Sequence, residues 1–417
     1  VSVKGSLLGM ETITNLLFLL GNPQDDLKFV HIAGTNGKGS VLAYMSTVLE
    51  RAGYLVGRYI SPTLFSYRER IQVNGENISR EDFALAASQV CEAYRKMAEK
   101  EMALPTVFEV ETAISFLYFK QKRCDLVMLE TGLGGRLDAT NVIKTPVLTM
   151  IASVSMDHME FLGNTIAQIA WNKAGIIKDK VPVVCARQRH EAEQVILKEA
   201  KKHGSECVFV NPERITDIHY GLERQSFAYG DFGRIVIGLA GEHQIENAVL
   251  ALEGVAALRR QGYDIADTAV YSGMADTVWK GRFTAICHQP LVILDGAHNP
   301  DAAKRLRDSV EKYFKNRKKY YIFGVFSDKE YDKIIEITAD LAEHIFTVET
   351  PDNPRALPAE ELARAVACVN PSVEAVGDIE TAVRKSLDRA REDDVILAFG
   401  SLSFLGDVEQ AVLKYRA

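Results

Sequence analysis

HIAGTNGKGSV, residues 31–41, decides the fold. The apolar run Leu27–Ala33 reads as a strand entering this glycine-rich turn, and Val41, Tyr44, Met45, Val48, Leu49 and Ala52 follow at helical spacing. Strand, glycine loop and amphipathic helix in that order form a frame in which backbone N–H groups at a helix N-terminus cradle phosphate oxygens. The spacing departs from the familiar G-x-x-x-x-G-K-[ST] pattern. Gly34 and Gly37 are too close together, and Gly39 separates Lys38 from Ser40. A tight strand-to-helix turn would explain the glycines without any ligand. If the turn does hold phosphate, Lys38 contacts the terminal phosphates and Ser40 offers its hydroxyl to Mg²⁺.

Outward from the loop, strand-like runs at Leu55–Ile60, Asp125–Glu130, Pro146–Ala152 and Val181–Cys185 alternate with helical patterns, one of them Thr165–Ile177. Residues 205 to 240 carry short β segments and turns, predicting an antiparallel excursion; helices resume near Gly241. From about residue 285, strands at Leu291–Asp295, Tyr320–Phe326, His344–Glu349, Ser372–Val376 and Asp394–Gly400 alternate with helices at Pro300–Tyr313, 330–343, 358–369 and 379–391. Such βα alternation implies two mostly parallel sheets covered by helices. The fold class is α/β: a nucleotide-binding unit, residues 1–282, and a smaller Rossmann-like unit, residues 283–417, with the site between them. The interruption WKGRFTA, Trp279–Ala285, marks the break.

Length and composition agree with this division. A chain of 417 residues exceeds what one core ordinarily serves. Hydrophobic residues at 47% and charged residues at 25% are the balance of a globular protein. A net charge of −7 speaks against a nucleic-acid partner, which calls for a basic face. The six cysteines, Cys91, Cys124, Cys185, Cys207, Cys287 and Cys368, include no C-x-x-C pair and read as reduced thiols of a cytoplasmic protein. Leu16–Leu20 is far shorter than the roughly 20 residues of a membrane span, and no export leader is evident.

The unusual polar residues fall just past strand ends: the glycine loop, Ser61, Glu130, His158 and Asp295. Ligands bind at that edge of open α/β sheets. Glu130 closes the strand DLVMLE, where a carboxylate can hold Mg²⁺ through oxygen. The glycine cluster TGLGGRLDATN that follows, with Arg136 and Asp138, suggests backbone close to a ligand. His158 alone would pass for a hydrogen-bonded structural residue. Lys173, within the mostly apolar helix TIAQIAWNKAGII, is costly to bury unless paired, neutralised or able to snorkel. LDGAHNP sets Asp295 and His298 at a strand end, with Asn299 as an N-cap and Pro300 opening a helix.

Together, GTNGKGS, YISPTLFSYRERIQVNG, LETGLGGRLDATN, DHMEFLG, NKAGIIK, GEHQIENA, WKGRF and LDGAHNP closely resemble the folylpolyglutamate synthase family, a branch of the Mur ligase superfamily whose members often also act as dihydrofolate synthases. The motifs run in order over nearly the whole chain, and the shortened GKGS loop is that branch's form.

The resemblance implies an ATP-dependent, ADP-forming ligase that couples L-glutamate to a folate or pteroate carboxylate through an acyl phosphate. Gly37, Lys38, Gly39 and Ser40 would bind the triphosphate; Asn247, Arg282 and Asp295 would hold the nucleotide from across the cleft. Ser40, Ser61, Glu130 and His158 would complete two Mg²⁺ sites, and Lys173 would be carbamylated. Ser61, Pro62, Thr63, Leu64, Leu137, Asp138 and Ala139 would line the pterin-side pocket, with His298 and Ser401 near the incoming glutamate. Lys38, Lys173 and His298 are the catalytic candidates, and a monomer is expected. Rival readings are another Mur-type amide ligase and a non-catalytic ATP-binding switch. Cell-wall ligases usually carry an additional N-terminal domain, for which residues 1–26 before the first predicted strand leave no room; a switch has no need of Lys173, Asp295 or His298.

Overall fold

The computed structural model describes residues 9–351 and 353–416. An eight-stranded sheet has the spatial order Glu76–Asn77, Ile71–Val73, Val56–Tyr59, Leu126–Glu130, Phe29–Ala33, Leu148–Ile151, Val183–Cys185, Cys207–Phe209. The two strands at the first edge form an antiparallel hairpin, which also joins Val56–Tyr59 antiparallel; the remaining pairings are parallel. Phe29–Ala33, the strand that feeds the glycine loop, is therefore central and buried at every position. An all-buried strand reads as a continuous apolar run, which is why it was visible in the sequence.

The helix after the loop, Lys38–Arg51, buries Val41, Tyr44, Met45, Val48 and Leu49, the predicted stripe, but also Leu42, Ala43 and Ser46. It is covered nearly all round because helices His243–Arg260 and Asp267–Asp276 pack on its outer side. A Cβ on Gly273 would lie 2.5 Å from Val48 Cα, so glycine lets that outer helix close in. The opposite sheet face is covered by Arg80–Glu99 and Val107–Lys122. Each fully buried Val, Leu or Phe in these layers contributes roughly 1.5–3 kcal/mol.

Residues 205 to 240 are not all antiparallel. Cys207–Phe209 extends the large sheet in parallel beside Val183–Cys185, and only Ile215–His219, Gln225–Tyr229 and Arg234–Ile237 form the separate antiparallel sheet.

The second large sheet has the order Thr284–His288, Leu291–Leu294, Val395–Phe399, Lys319–Phe323, His344–Thr347, Val373–Ala375. Five strands match the predicted ones within a few residues. Thr284–His288 was missed: it is an antiparallel edge strand, bulged between Ala285 and Cys287 and half-buried, so it carries no clean alternation. Phe283 packs against Tyr313 and Phe314 in this sheet's core. No helix among the described residues is long and apolar enough to cross a membrane.

Candidate active site in the cleft between the two large sheets

The C-terminal strand ends of both sheets open onto one cavity of about 650 Å³. From the first half it is lined by the loop Gly34–Ser40, Ser61, Glu130, His158, Lys173 and, at the junction, Arg282; from the second by Asp295, His298 and Ser401. Residues as far apart in the chain as Gly34 and Ser401 thus meet in one volume, as the strand-end pattern required.

The loop is shaped by glycine where shape matters. Gly37, the residue before the helix, has φ +88°, and a Cβ there would lie 2.4 Å from Asn247 Oδ1. Asn247 is fixed in turn by donating to Gln244 Oε1 at 3.0 Å. A Cβ on Gly39 would lie 2.8 Å from Trp279 Nε1, so the indole covers the first helical turn. The Lys38 ammonium donates to the carbonyls of Gly34 (3.2 Å) and Thr35 (3.4 Å) and stands 3.7 Å from Glu130 Oε1. It curls over its own loop, where a phosphate would sit.

Glu130 is buried, and burial pushes its carboxyl up while Lys38 and Arg282 oppose the rise. Among the described residues its hydrogen bond is the long donation from Ser61 N at 3.5 Å. A buried carboxylate so weakly hydrogen-bonded could serve as a metal ligand. Oxygen donors from Ser40, Ser61 and Glu130 suit Mg²⁺, which keeps waters and takes phosphate oxygens instead of a complete protein cage. The described residues accordingly contain no group of three His, Cys, Asp or Glu side chains able to hold a metal alone. His158, at φ +49°, begins the short helix Met159–Leu162 and turns its ring toward Asp157, Nε2 to Oδ2 3.9 Å. Burial lowers its imidazole to about 4, with Lys329, His298 and Lys173 adding to the shift against Asp157. It is neutral at pH 7, as a metal ligand must be.

Lys173 faces inward from the helix Ile166–Ala174, buried, and donates to Gly34 O at 2.8 Å. Burial, then the nearby Lys38, lowers its amine to about 7 against Asp157 and Asp138. The segment after Glu130 bolts this helix in place: Arg136 N donates to Asn172 O (2.7 Å) and Asn141 Nδ2 to Gly175 O (3.1 Å). Arg136 itself points away from the cavity, its guanidinium 4.0 Å above the Trp171 ring and 3.0 Å from Glu199. It anchors the loop to the helix and does not face a ligand.

Across the cleft, Asp295 accepts from Phe283 N (2.9 Å) and Ala297 N (2.8 Å), and burial raises its carboxyl against the pull of Arg282. Arg282 lies so close that a Cβ on Gly296 would be 2.1 Å from Nη1. His298 Nδ1 donates to Gly296 O at 2.8 Å, which leaves Nε2 facing Asp157 Oδ2 at 3.7 Å. Asn299 caps its helix through Ala302 N (2.9 Å), and it also donates to Asn36 Oδ1 (3.2 Å) and Asp157 Oδ2 (3.1 Å). Ser401 lines the cavity and accepts from Ser403 N at 3.3 Å.

On the pterin side Ser61, Pro62, Thr63, Leu137, Asp138 and Ala139 reach the cavity. Leu64 does not; it lines a second cavity of about 400 Å³ with Trp279 and Leu402. The Asp138 carboxylate is occupied by Leu133 N (2.7 Å) and Thr140 Oγ1 (2.5 Å), so it shapes the wall. Sequence reasoning missed Asn36, Thr106, Phe108, Glu109, Asp157 and Lys329, all of which line the cavity. Thr106 and Glu109 form a capping box, T-x-x-E, a signal that was readable but marks a helix start and not a site.

A family model described as Mur ligase middle domain matches residues 32–255, and one described as Mur ligase, glutamate ligase domain matches residues 281–402. The chain belongs to the Mur ligase family. The dihydrofolate synthase/folylpolyglutamate synthase of Bacillus subtilis is 35% identical over 412 residues, covering 96% of this chain and 94% of that protein. The structure of Mycobacterium tuberculosis folylpolyglutamate synthase complexed with ADP and AMPPCP superposes with a TM-score of 0.88 at 29% identity, covering 97% and 95% of the two chains. An Escherichia coli structure in complex with DHPP and ADP gives 0.87 at 27%, covering 100% and 96%. Within the Mur ligases the chain is thus of the folylpolyglutamate synthase/dihydrofolate synthase kind.

Proposed function

We propose that the cleft joins L-glutamate to the carboxylate of a tetrahydrofolate or folylpolyglutamate, and of dihydropteroate as a second acceptor, with ATP converted to ADP. The observation that carries this reading is the shared cavity: the loop with Lys38 and the buried Glu130 face Arg282, Asp295 and His298 across a single volume. We divide the chain at 282/283, so that one unit holds the phosphates and the other closes over them, in a cytoplasmic monomer.

A carboxylate is a poor acyl donor until it is phosphorylated; the glutamate amine then displaces phosphate. Gly37–Ser40 present backbone N–H groups to the triphosphate, and Lys38 offsets its charge. Asn247, Arg282 and Asp295 hold the nucleotide. Mg²⁺, held by Ser40, Ser61 and Glu130 with a second ion at His158, would neutralise phosphate charge. His298 and Ser401 position the amino acid. Lys173, carbamylated, would turn a positive group beside those metals into a negative one. Closing the cleft excludes water, which would otherwise hydrolyse the acyl phosphate.

The test is product analysis with dihydropteroate and with tetrahydrofolate, each with ATP and labelled glutamate. Labelled product with one or both supports the reading. ATP turnover that ignores glutamate and pteroyl compound would favour the switch instead.

A further inference from the structure

Asp157 has no part in the scheme above, yet its carboxylate is only 8% exposed and lies on the cavity wall. Oδ1 accepts from Lys329 Nζ and from His158 N, each at 2.9 Å. Oδ2 accepts from Asn299 Nδ2 at 3.1 Å and faces His298 Nε2 at 3.7 Å and His158 Nε2 at 3.9 Å. Burial alone would raise this carboxyl, but His298, Lys329 and His158 hold it well below the usual carboxylate range. A buried anion of this kind requires a cation. Here a primary ammonium from the opposite half of the molecule supplies it.

The other cavity carboxylates are otherwise committed. Asp138 and Asp295 are saturated by backbone N–H groups and Thr140, Glu109 is tied into its capping box, and Glu130 lies beside Lys38 on the phosphate side. Asp157 stands between them: next to His158 on the metal side, and in contact with His298 and Asn299 on the amino-acid side. A nucleophilic amine must arrive between those two groups.

We propose that Asp157 is the receptor for the α-ammonium of the incoming amino acid, and that the Lys329 ammonium occupies the same position when the amino acid is absent. This rests on glutamate being the substrate. On exchange, one ammonium replaces another at the carboxylate, and Lys329 is released beside the carboxylates of the bound amino acid. Its four-carbon stem permits that swing.

The experiment compares L-glutamate with glutarate, which has the same two carboxylates and no amine, by calorimetry on the full chain saturated with magnesium AMPPCP and tetrahydrofolate. A charge-assisted ammonium contact predicts about 10–100-fold tighter binding of glutamate by the unaltered protein. Asp157→Asn should bring that ratio close to one, Asp157→Glu should restore part of it, and Lys329→Gln should weaken both ligands and keep the ratio. Should Asp157→Asn fail to fold, the Asp157→Glu and Lys329→Gln ratios decide. An undiminished preference in Asp157→Asn, or a ratio lost equally in Lys329→Gln, overturns the assignment. An unaltered protein that binds neither compound refutes the glutamate reading itself.

Discussion

Lys173 Nζ donates to the carbonyl of Gly34 across 2.8 Å, joining the helix Ile166–Ala174 to the first residue of the phosphate loop. An ammonium fixed there would repel the metal ions that a triphosphate brings. Lowered to about 7, the amine has a large neutral fraction at neutral pH and can react with dissolved CO₂. Lys173→Ala should lower turnover by about a hundredfold or more, the scale seen on removing one preorganised polar group. Added short-chain carboxylates should restore part of it, and mass spectrometry under bicarbonate should show the carbamate on the unaltered protein. Full activity of the alanine variant refutes the role.

The same lysine sets a pH dependence of stability. Its amine lies near 7 in the fold and 10.5 when unfolded. Between those values the unfolded chain binds more protons, so stability rises with pH across the interval and the cost of burial is greatest below about 7. In CO₂-free buffer Lys173→Met should raise the melting temperature at pH 6 by at least about 2 °C and by less at pH 10. An equal gain at both would show that the charge is not what burial penalises.

Among the described residues, the Lys38 ammonium bonds to its own loop and pairs with Glu130. Lys38→Ala is therefore expected to leave the melting temperature within a few degrees while removing glutamate incorporation by about a hundredfold or more. Near-normal incorporation by this variant is incompatible with a phosphate role for the loop.

Asp295 and His298 share a strand end but have different partners. Asp295→Ala should raise KM for ATP by releasing Phe283 N and Arg282, whereas His298→Ala should retain nucleotide binding and lose glutamate coupling. Titrating both variants with AMPPCP separates the two; identical nucleotide affinities would mean the residues are not divided in this way.

Gly37→Ala places a methyl group 2.4 Å from Asn247 Oδ1 at φ +88°. The left-handed backbone alone costs about 1–2 kcal/mol, and Asn247 must move as well. Lower stability together with weaker ATP binding is expected; a Gly37→Ala protein with unchanged KM for ATP would place Asn247 outside the nucleotide site.

The central strand, its loop and the strand-end polar residues were legible because each is announced by its own neighbours: five buried residues in a row, then glycines, then a helical stripe. Thr284–His288 and Cys207–Phe209 were not, because they are half-buried edge strands whose membership is set by a partner strand and not by a local pattern. The anchoring part of Arg136 was not legible because its aromatic partner, Trp171, lies 35 residues away. Asp157 stood beside His158 in the sequence, but its meaning comes from Lys329 and His298, 172 and 141 positions further on. Charge pairs formed across a cleft leave no periodicity to read.

The chain has two tryptophans, and their settings are opposite. Trp171 is exposed and capped by the Arg136 guanidinium, whereas the Trp279 indole nitrogen lies against Gly39 in the first turn after the glycine loop. The two indoles therefore stand in different surroundings, and nucleotide bound at the loop is expected to change the emission of Trp279 and not that of Trp171, a difference that fluorescence titration of Trp171→Phe and Trp279→Phe with AMPPCP would read.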